Sequence, residues 1–143
     1  MVLMAGIALA VSAQAVAFNW SASGVKDITG LLDYSGTFTL MYTVKDADAW
    51  SSYTTGSMVD GAFVIDDADT SLTGGTTYSF YYTMTDASGN IFTSDTKNGK
   101  ANTSAATRYV SFTGGSWAAV PEPTSGLLMV LGIAGLALRR RHT

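Results

Sequence analysis

The chain has no cysteine, one histidine, one glutamate and two prolines among its 143 residues. Without cysteine there is no disulfide to staple the fold and no thiol nucleophile. The one histidine, His142, is the penultimate residue, so Ser-His-Asp catalysis and histidine-based metal centres have nothing to work with in the body of the chain. Cations are scarce there too. Between Phe18 and Ala119, the five cations Lys26, Lys45, Lys97, Lys100 and Arg108 face ten Asp, a net charge of −5. No basic stripe exists to neutralise phosphates, which argues against nucleic acid as a partner. An Asp-based acid/base pair such as Asp46 with Asp48, or Asp60 with Asp66, is conceivable, but turn-forming aspartates are far commoner. The expectation is a non-enzymatic protein with no cofactor.

The rare residues are concentrated at one place. Both prolines flank the only glutamate, in Val120-Pro121-Glu122-Pro123. Each proline ring fixes φ and disfavours helix in the residue before it, so this segment is extended and hydrated. Residues 124–138 then form an uncharged, largely apolar run, closed by Arg139-Arg140-Arg141. As a helix, 15 residues span about 22 Å at ~1.5 Å per residue, against a hydrocarbon core of ~30 Å. Its seven Leu, Ile and Val residues supply roughly 2–4 kcal/mol of insertion free energy at ~0.3–0.6 kcal/mol each. Insertion is therefore marginal. It is helped by arginine stems that snorkel to water and by local bilayer thinning. Basic flanks stay cytoplasmic, which puts everything before Val120 on the far side of the membrane.

These residues, with Gly126, Gly132 and Gly135 inside the apolar run, resemble a PEP-CTERM sorting signal. The resemblance implies an exported protein of a Gram-negative bacterium, held transiently in the inner membrane. There an exosortase, a membrane-embedded, cysteine transpeptidase-like enzyme, would recognise and cleave it near Pro-Glu-Pro. Val120, Pro121, Glu122, Pro123, Arg139, Arg140 and Arg141 would then be the sorting and processing residues. The resemblance also implies a final place at the cell surface or in the extracellular matrix, with exopolysaccharide as a further partner. An ordinary C-terminal anchor behind a proline-bearing linker is the alternative that the residues themselves leave open.

The N-terminus agrees with export. Residues 2–11 are apolar apart from Gly6, and the small residues Ala13, Ala15 and Ala17 fit an A-x-A cleavage pattern. Cleavage is expected after Ala15 or Ala17, with a mature chain beginning near Phe18. No Lys or Arg precedes the apolar core, so the natural start is expected to lie upstream. The predicted organisation is a signal peptide over 1–17, a β domain over 18–113, a linker over 114–119 and the sorting signal over 120–143.

The middle, about 100 residues, suits one domain. Its richness in Thr, Ser, Tyr and Asp favours strands and turns over helices. Period-two alternation puts Phe38, Leu40, Tyr42 and Val44 on one face of a strand over 37–44, and Tyr78, Phe80, Tyr82 and Met84 on one face of a strand over 76–85. Turn residues 86–90 make the latter a hairpin with 91–94. Further strands are predicted over 16–22, 62–65 and 108–113. The expected fold class is all-β, a small antiparallel β-sandwich, preceded by the signal peptide and followed by a short transmembrane helix. Residues 46–60 are ambiguous, with a short helix capped by Asp48 and running through Tyr53 as one option. Residues 97–105 read as an exposed loop.

Two binding chemistries stay in view as an alternative function. Asp66, Asp67 and Asp69 could contribute to a calcium loop, with Asp60 as a further candidate ligand. Counted from Asp67, however, an EF-hand would need Gly and Glu where Leu72 and Tyr78 stand. The competing reading is a solvated loop between strands. Trp50, Tyr53, Tyr81 and Trp117 are the aromatics least explained by a core and could stack on sugar rings, although isolated surface aromatics are ordinary.

Overall fold

A computed structural model of the chain describes residues 16–104, 106–120 and 135–136. Nine strands are described: β1 (Val16–Ala22), β2 (Gly36–Val44), β3 (Ser51–Met58), β4 (Phe63–Thr70), β5 (Thr77–Thr85), β6 (Ile91–Ser94), β7 (Lys97–Lys100), β8 (Arg108–Phe112) and β9 (Gly115–Ala118). They form two sheets, one in the order β4-β1-β8 and one in the order β3-β2-β5-β6-β9, with β7 also paired to β5. The predicted all-β sandwich is present, with one correction to its antiparallel character. β1 runs antiparallel to β4 but parallel to β8.

Alternation explains the core. Val16, Phe18, Trp20 and Ala22 of β1 are buried opposite Phe38 and Leu40 of β2 and Tyr78, Phe80, Tyr82 and Met84 of β5. Aromatic contacts knit the sheets together. Phe18 and Trp20 stack at 5.0 Å, both meet Phe80 edge-on at 5.4 Å, and Phe38 stacks on Phe63 at 4.0 Å. Each such pair adds about 0.5–1.5 kcal/mol beyond the area it buries.

Several polar stretches are strands where loops were expected. The helix option for residues 48–53 is replaced by the start of β3, which pairs with β2. A bulge in that pairing, where Leu40 faces Thr54 and Met41 faces Ser52, leaves Tyr53 out of the ladder. Tyr53 packs on Trp20 instead, at 5.0 Å. The predicted strand over 62–65 extends through Asp66, Asp67 and Asp69 to Thr70, so those aspartates lie in β4 rather than in a loop. The expected 97–105 loop begins with β7, whose single inward residue, Gly99, sits where an added Cβ would lie 3.1 Å from both Phe18 and Val110. The expected 114–119 linker contains β9, paired to β6 from Ile91–Ala118 to Ser94–Gly115.

β6 and β7 share one edge of β5 with a jog between them, and the jog is mended locally. The Tyr82 N–H donates to Ser94 Oγ at 2.8 Å, and that hydroxyl donates to the Asp95 carbonyl at 2.9 Å. Lys97 Nζ lies 2.9 Å from Asp95 Oδ2 across the same jog. Burial opposes ionisation of Asp95, but hydrogen bonds from Lys97, Gly114 and Thr113 outweigh it and hold the carboxyl below its usual value.

Register places the connections at two ends. Gly36 faces Met58, Thr85 faces Ile91, Ile91 faces Ala118, and Ala22 faces both Phe63 and Phe112. The 23–35 connection, the turns at 59–62 and 86–90, and residues 119–120 therefore share one end. Backbone bonds tie them: Val25 N to Gly61 O at 3.0 Å and Gly61 N to Tyr34 O at 2.7 Å. Val16 opens β1 at the opposite end.

Candidate sorting site

The chain leaves the domain through β9, and three contacts hold its exit. The first is the β6 ladder itself. The second is Trp117, whose ring lies 5.3 Å from Tyr34 and 5.4 Å from Phe92, while its indole N–H donates to the Lys26 carbonyl at 2.9 Å. The third is at Val120, whose N–H donates to Asn90 Oδ1 at 3.1 Å.

Asn90 is itself held by its own turn. Its Nδ2 donates to Asp86 Oδ2 at 2.8 Å, and Asp86 Oδ1 accepts from the backbone N–H groups of Ser88 and Asn90 at 2.9 and 2.8 Å. Gly89 takes φ +86, a left-handed conformation that suits glycine in such a turn. Asn90 and the turn amides stabilise the ionised Asp86 carboxylate, so its pKa lies below the ordinary value. Burial, with a smaller contribution from Asp86, pushes the neighbouring Tyr34 phenol up. The chain therefore leaves the fold at a fixed point.

Beside β9 lies a cleft of about 490 Å³, lined by residues 23–30, Tyr82, Phe92, Phe112 and 113–117. Burial, reinforced by Asp95, raises the pKa of Tyr82 well above its usual value, so the phenol is neutral.

Of the predicted sorting residues, Val120 is placed at this exit, 42% exposed. Pro121, Glu122, Pro123, Arg139, Arg140 and Arg141 lie outside the described residues, as do residues 1–15 of the predicted 1–17 signal peptide, whose last two residues, Val16 and Ala17, open β1. Within the predicted transmembrane segment only Gly135 and Leu136 are described, both helical. Among the described residues no helix is long and apolar enough to cross a membrane.

The calcium candidates do not converge. Asp66 and Asp67 are consecutive in β4 and so point to opposite sheet faces. Asp66 is exposed, whereas Asp67 Oδ2 accepts from Tyr53 Oη at 2.6 Å. Desolvation first, then that carboxylate, keeps the Tyr53 phenol protonated. Asp69 follows later in the same strand, beside a register shift opposite Val16 and Phe18. Trp50 and Tyr81 meet edge-on at 4.7 Å on the outer side of the large sheet, while Tyr53 and Trp117 pack against the core.

Sequence reasoning singled out Trp117 as an unexplained aromatic and missed Asp86 and Asn90 as the holders of Val120. Their spacing advertises only a turn, and no local pattern links Asn90 to a residue 30 positions later.

No curated protein and no solved structure matches the chain. Residues 119–141 match the family described as the PEP-CTERM protein-sorting motif. That motif is the recognition signal of an exosortase and marks proteins that are exported and processed at the membrane. The match begins one residue after the last residue of β9, so the β-sandwich is followed directly by a PEP-CTERM protein-sorting motif.

Proposed function

We propose that this is a non-enzymatic exported protein whose β-sandwich becomes part of the cell envelope or extracellular matrix, in association with exopolysaccharide. The observation that carries the reading is the direct junction between β9 and the sorting motif, which leaves one folded cargo and one address. A non-enzymatic role is supported by how four of the ten aspartates are used. Asp27 binds Thr29, Asp33 pairs with Lys26, Asp86 holds Asn90, and Asp95 pairs with Lys97. These are turn and ion-pair duties.

Both ends are removed on this reading. Val16 and Ala17 are buried within β1, and Val16 pairs with Thr70. Leader cleavage after Ala15 leaves that strand whole, whereas cleavage after Ala17 cuts into it. Mass spectrometry of the protein recovered from its host envelope is the test. A new N-terminus at Val16 and a C-terminus near Pro-Glu-Pro are expected. Replacing Pro121-Glu122-Pro123 by three alanines should leave the chain membrane-bound with its arginines intact. Release and maturation of that variant like the parent would refute the sorting reading.

A sugar-binding role is the second reading, favoured by the aromatic floor of the exit cleft and by the half-buried Trp50–Tyr81 pair on the outer side of the large sheet. A glycan array with and without Ca²⁺ separates the two, and a flat response leaves the structural role.

A further inference from the structure

The domain's exposed aliphatic residues are unevenly distributed. Among the described residues of the sandwich, nine large hydrophobics are exposed, and Ile28, Leu31, Leu32, Val59, Ile91 and Val120 lie at the exit end. Val44 lies at the opposite end, and Val64 and Tyr109 sit on strands of the small sheet. Scattered exposed hydrophobics need no explanation, but a cluster at one end does.

The most prominent are Leu31 at 81% and Leu32 at 66% exposure, on a connection that is firmly tied. Asp27 N donates to Leu32 O at 2.8 Å, Gly30 N donates to Asp27 O at 2.9 Å, and Lys26 Nζ lies 2.6 Å from Asp33 Oδ1. Asp27 Oδ1 also accepts from the Thr29 amide at 3.1 Å, and Thr29 Oγ1 accepts from the Leu31 amide at 3.3 Å. These bonds fix a loop that presents leucines to the outside although a cleft lies beside it.

Chain length says what faces them. Val120 is pinned by Asn90, and the apolar run begins at Thr124. Four residues span at most about 14 Å at ~3.3–3.6 Å each. When the run enters the bilayer, the exit end is held about as close to the hydrocarbon as two headgroup layers are thick, at roughly 5–7 Å per layer.

We propose that the exit end docks on the lipid surface before processing, with Leu31, Leu32 and Ile28 entering the headgroup region. The inference rests on the reading that residues 124–138 insert. Among the described residues the charges at this end are Lys26, paired to Asp33, together with Asp27, Asp60 and Asp86. The end thus has a net acidic rim, and docking is driven by apolar insertion with no help from anionic lipid.

The absence of native cysteine allows single-site labelling of the full chain. Leu31→Cys, Val44→Cys and Leu131→Cys, each carrying an environment-sensitive dye, are reconstituted in phosphatidylcholine vesicles. The Leu31 label should be shielded from aqueous iodide by about 3-fold or more relative to the Val44 label and quenched by lipid-borne nitroxide. Adding anionic lipid should leave that shielding unchanged or weaken it. With Leu32→Asp added, the Leu31 label should return to the Val44 value. A buried Leu131 label with a Leu31 label as accessible as that on Val44 overturns the docking while leaving the tether intact. An aqueous Leu131 label overturns the tether itself. A Leu31 label shielded only in native envelopes identifies a protein partner and also overturns the proposal.

Discussion

Trp117 should act as the latch of β9, and its removal offers a quantitative test of the exit geometry. Trp117→Ala deletes ring contacts with Tyr34 and Phe92 at 5.3 and 5.4 Å and one hydrogen bond to the Lys26 carbonyl at 2.9 Å. Two aromatic pairs at about 0.5–1.5 kcal/mol each and one neutral hydrogen bond at a similar value sum to roughly 2–4 kcal/mol. β9 is a four-residue edge strand with one sheet neighbour, so it is the β6 ladder and the Val120–Asn90 bond that remain to resist its local opening. At 1.4 kcal/mol per decade, its opening should become about 30- to 700-fold more frequent. Hydrogen–deuterium exchange on the full chain is the assay. Amides of 116–120 should lose protection while those of β1, β2 and β5 keep theirs. Trp117→Phe, which retains a ring but not the N–H, should lose about a third of the effect. Unchanged protection of β9 in the alanine variant, or a uniform loss across all strands, would refute the latch.

Two further outcomes follow from burial and charge. Trp20 is fully buried, and its indole N–H finds no acceptor among the described residues. Trp20→Phe should therefore cost only about 1 kcal/mol in urea denaturation, because relief of an orphaned donor worth ~1–3 kcal/mol offsets the lost packing; a loss of ~3 kcal/mol or more would contradict this. Asp27, Asp86 and Asp95 all have folded pKa values below their unfolded ones. The stability they lend is present above about pH 4 and lost as pH falls through their folded values, so Tm should drop between roughly pH 5 and pH 2. Asp86→Asn should start lower and drop less. A flat profile in the parent would contradict the assignment.

Strands that carry large side chains on one face were legible in the sequence. β2 and β5 follow from alternation because large apolar or aromatic residues recur at every second position, β6 follows from the turn at 86–90, and β1 and β8 are marked by Phe18 with Trp20 and by Val110 with Phe112. The strands that were missed have little to bury. β3 is Ser- and Thr-rich and loses its period where the bulge at Tyr53 intervenes, and Trp50 and Tyr53 then imitate helical spacing. β7 offers only Gly99 to the core, where an added Cβ would press on Phe18 and Val110 at 3.1 Å and on Phe80 at 3.4 Å. The aspartates of β4 look like turn residues in the sequence, but the edge strand exposes Asp66 and uses Asp67 to hold Tyr53. At the site, the proline–glutamate–proline segment was readable because its chemistry is contiguous. The hold of Asn90 on Val120 was not, because sheet register alone brings those two residues together.

The parallel pairing of β1 with β8 has a consequence for how the molecule is delivered. Ser21 meets Ser111 across 90 positions, so the earliest strand gains its second neighbour only from the far part of the cargo. A polypeptide threaded through a translocation channel with its N-terminus leading cannot complete the smaller sheet until residue 112 has crossed. Such distant closure is slow, which keeps the emerging chain pliable during transit. Residue 124 is twelve positions behind, so, on the reading that residues 124–138 insert, their arrest and the locking of the sandwich fall almost together. On that reading topology times maturation: the passenger sets just as its handle reaches the membrane.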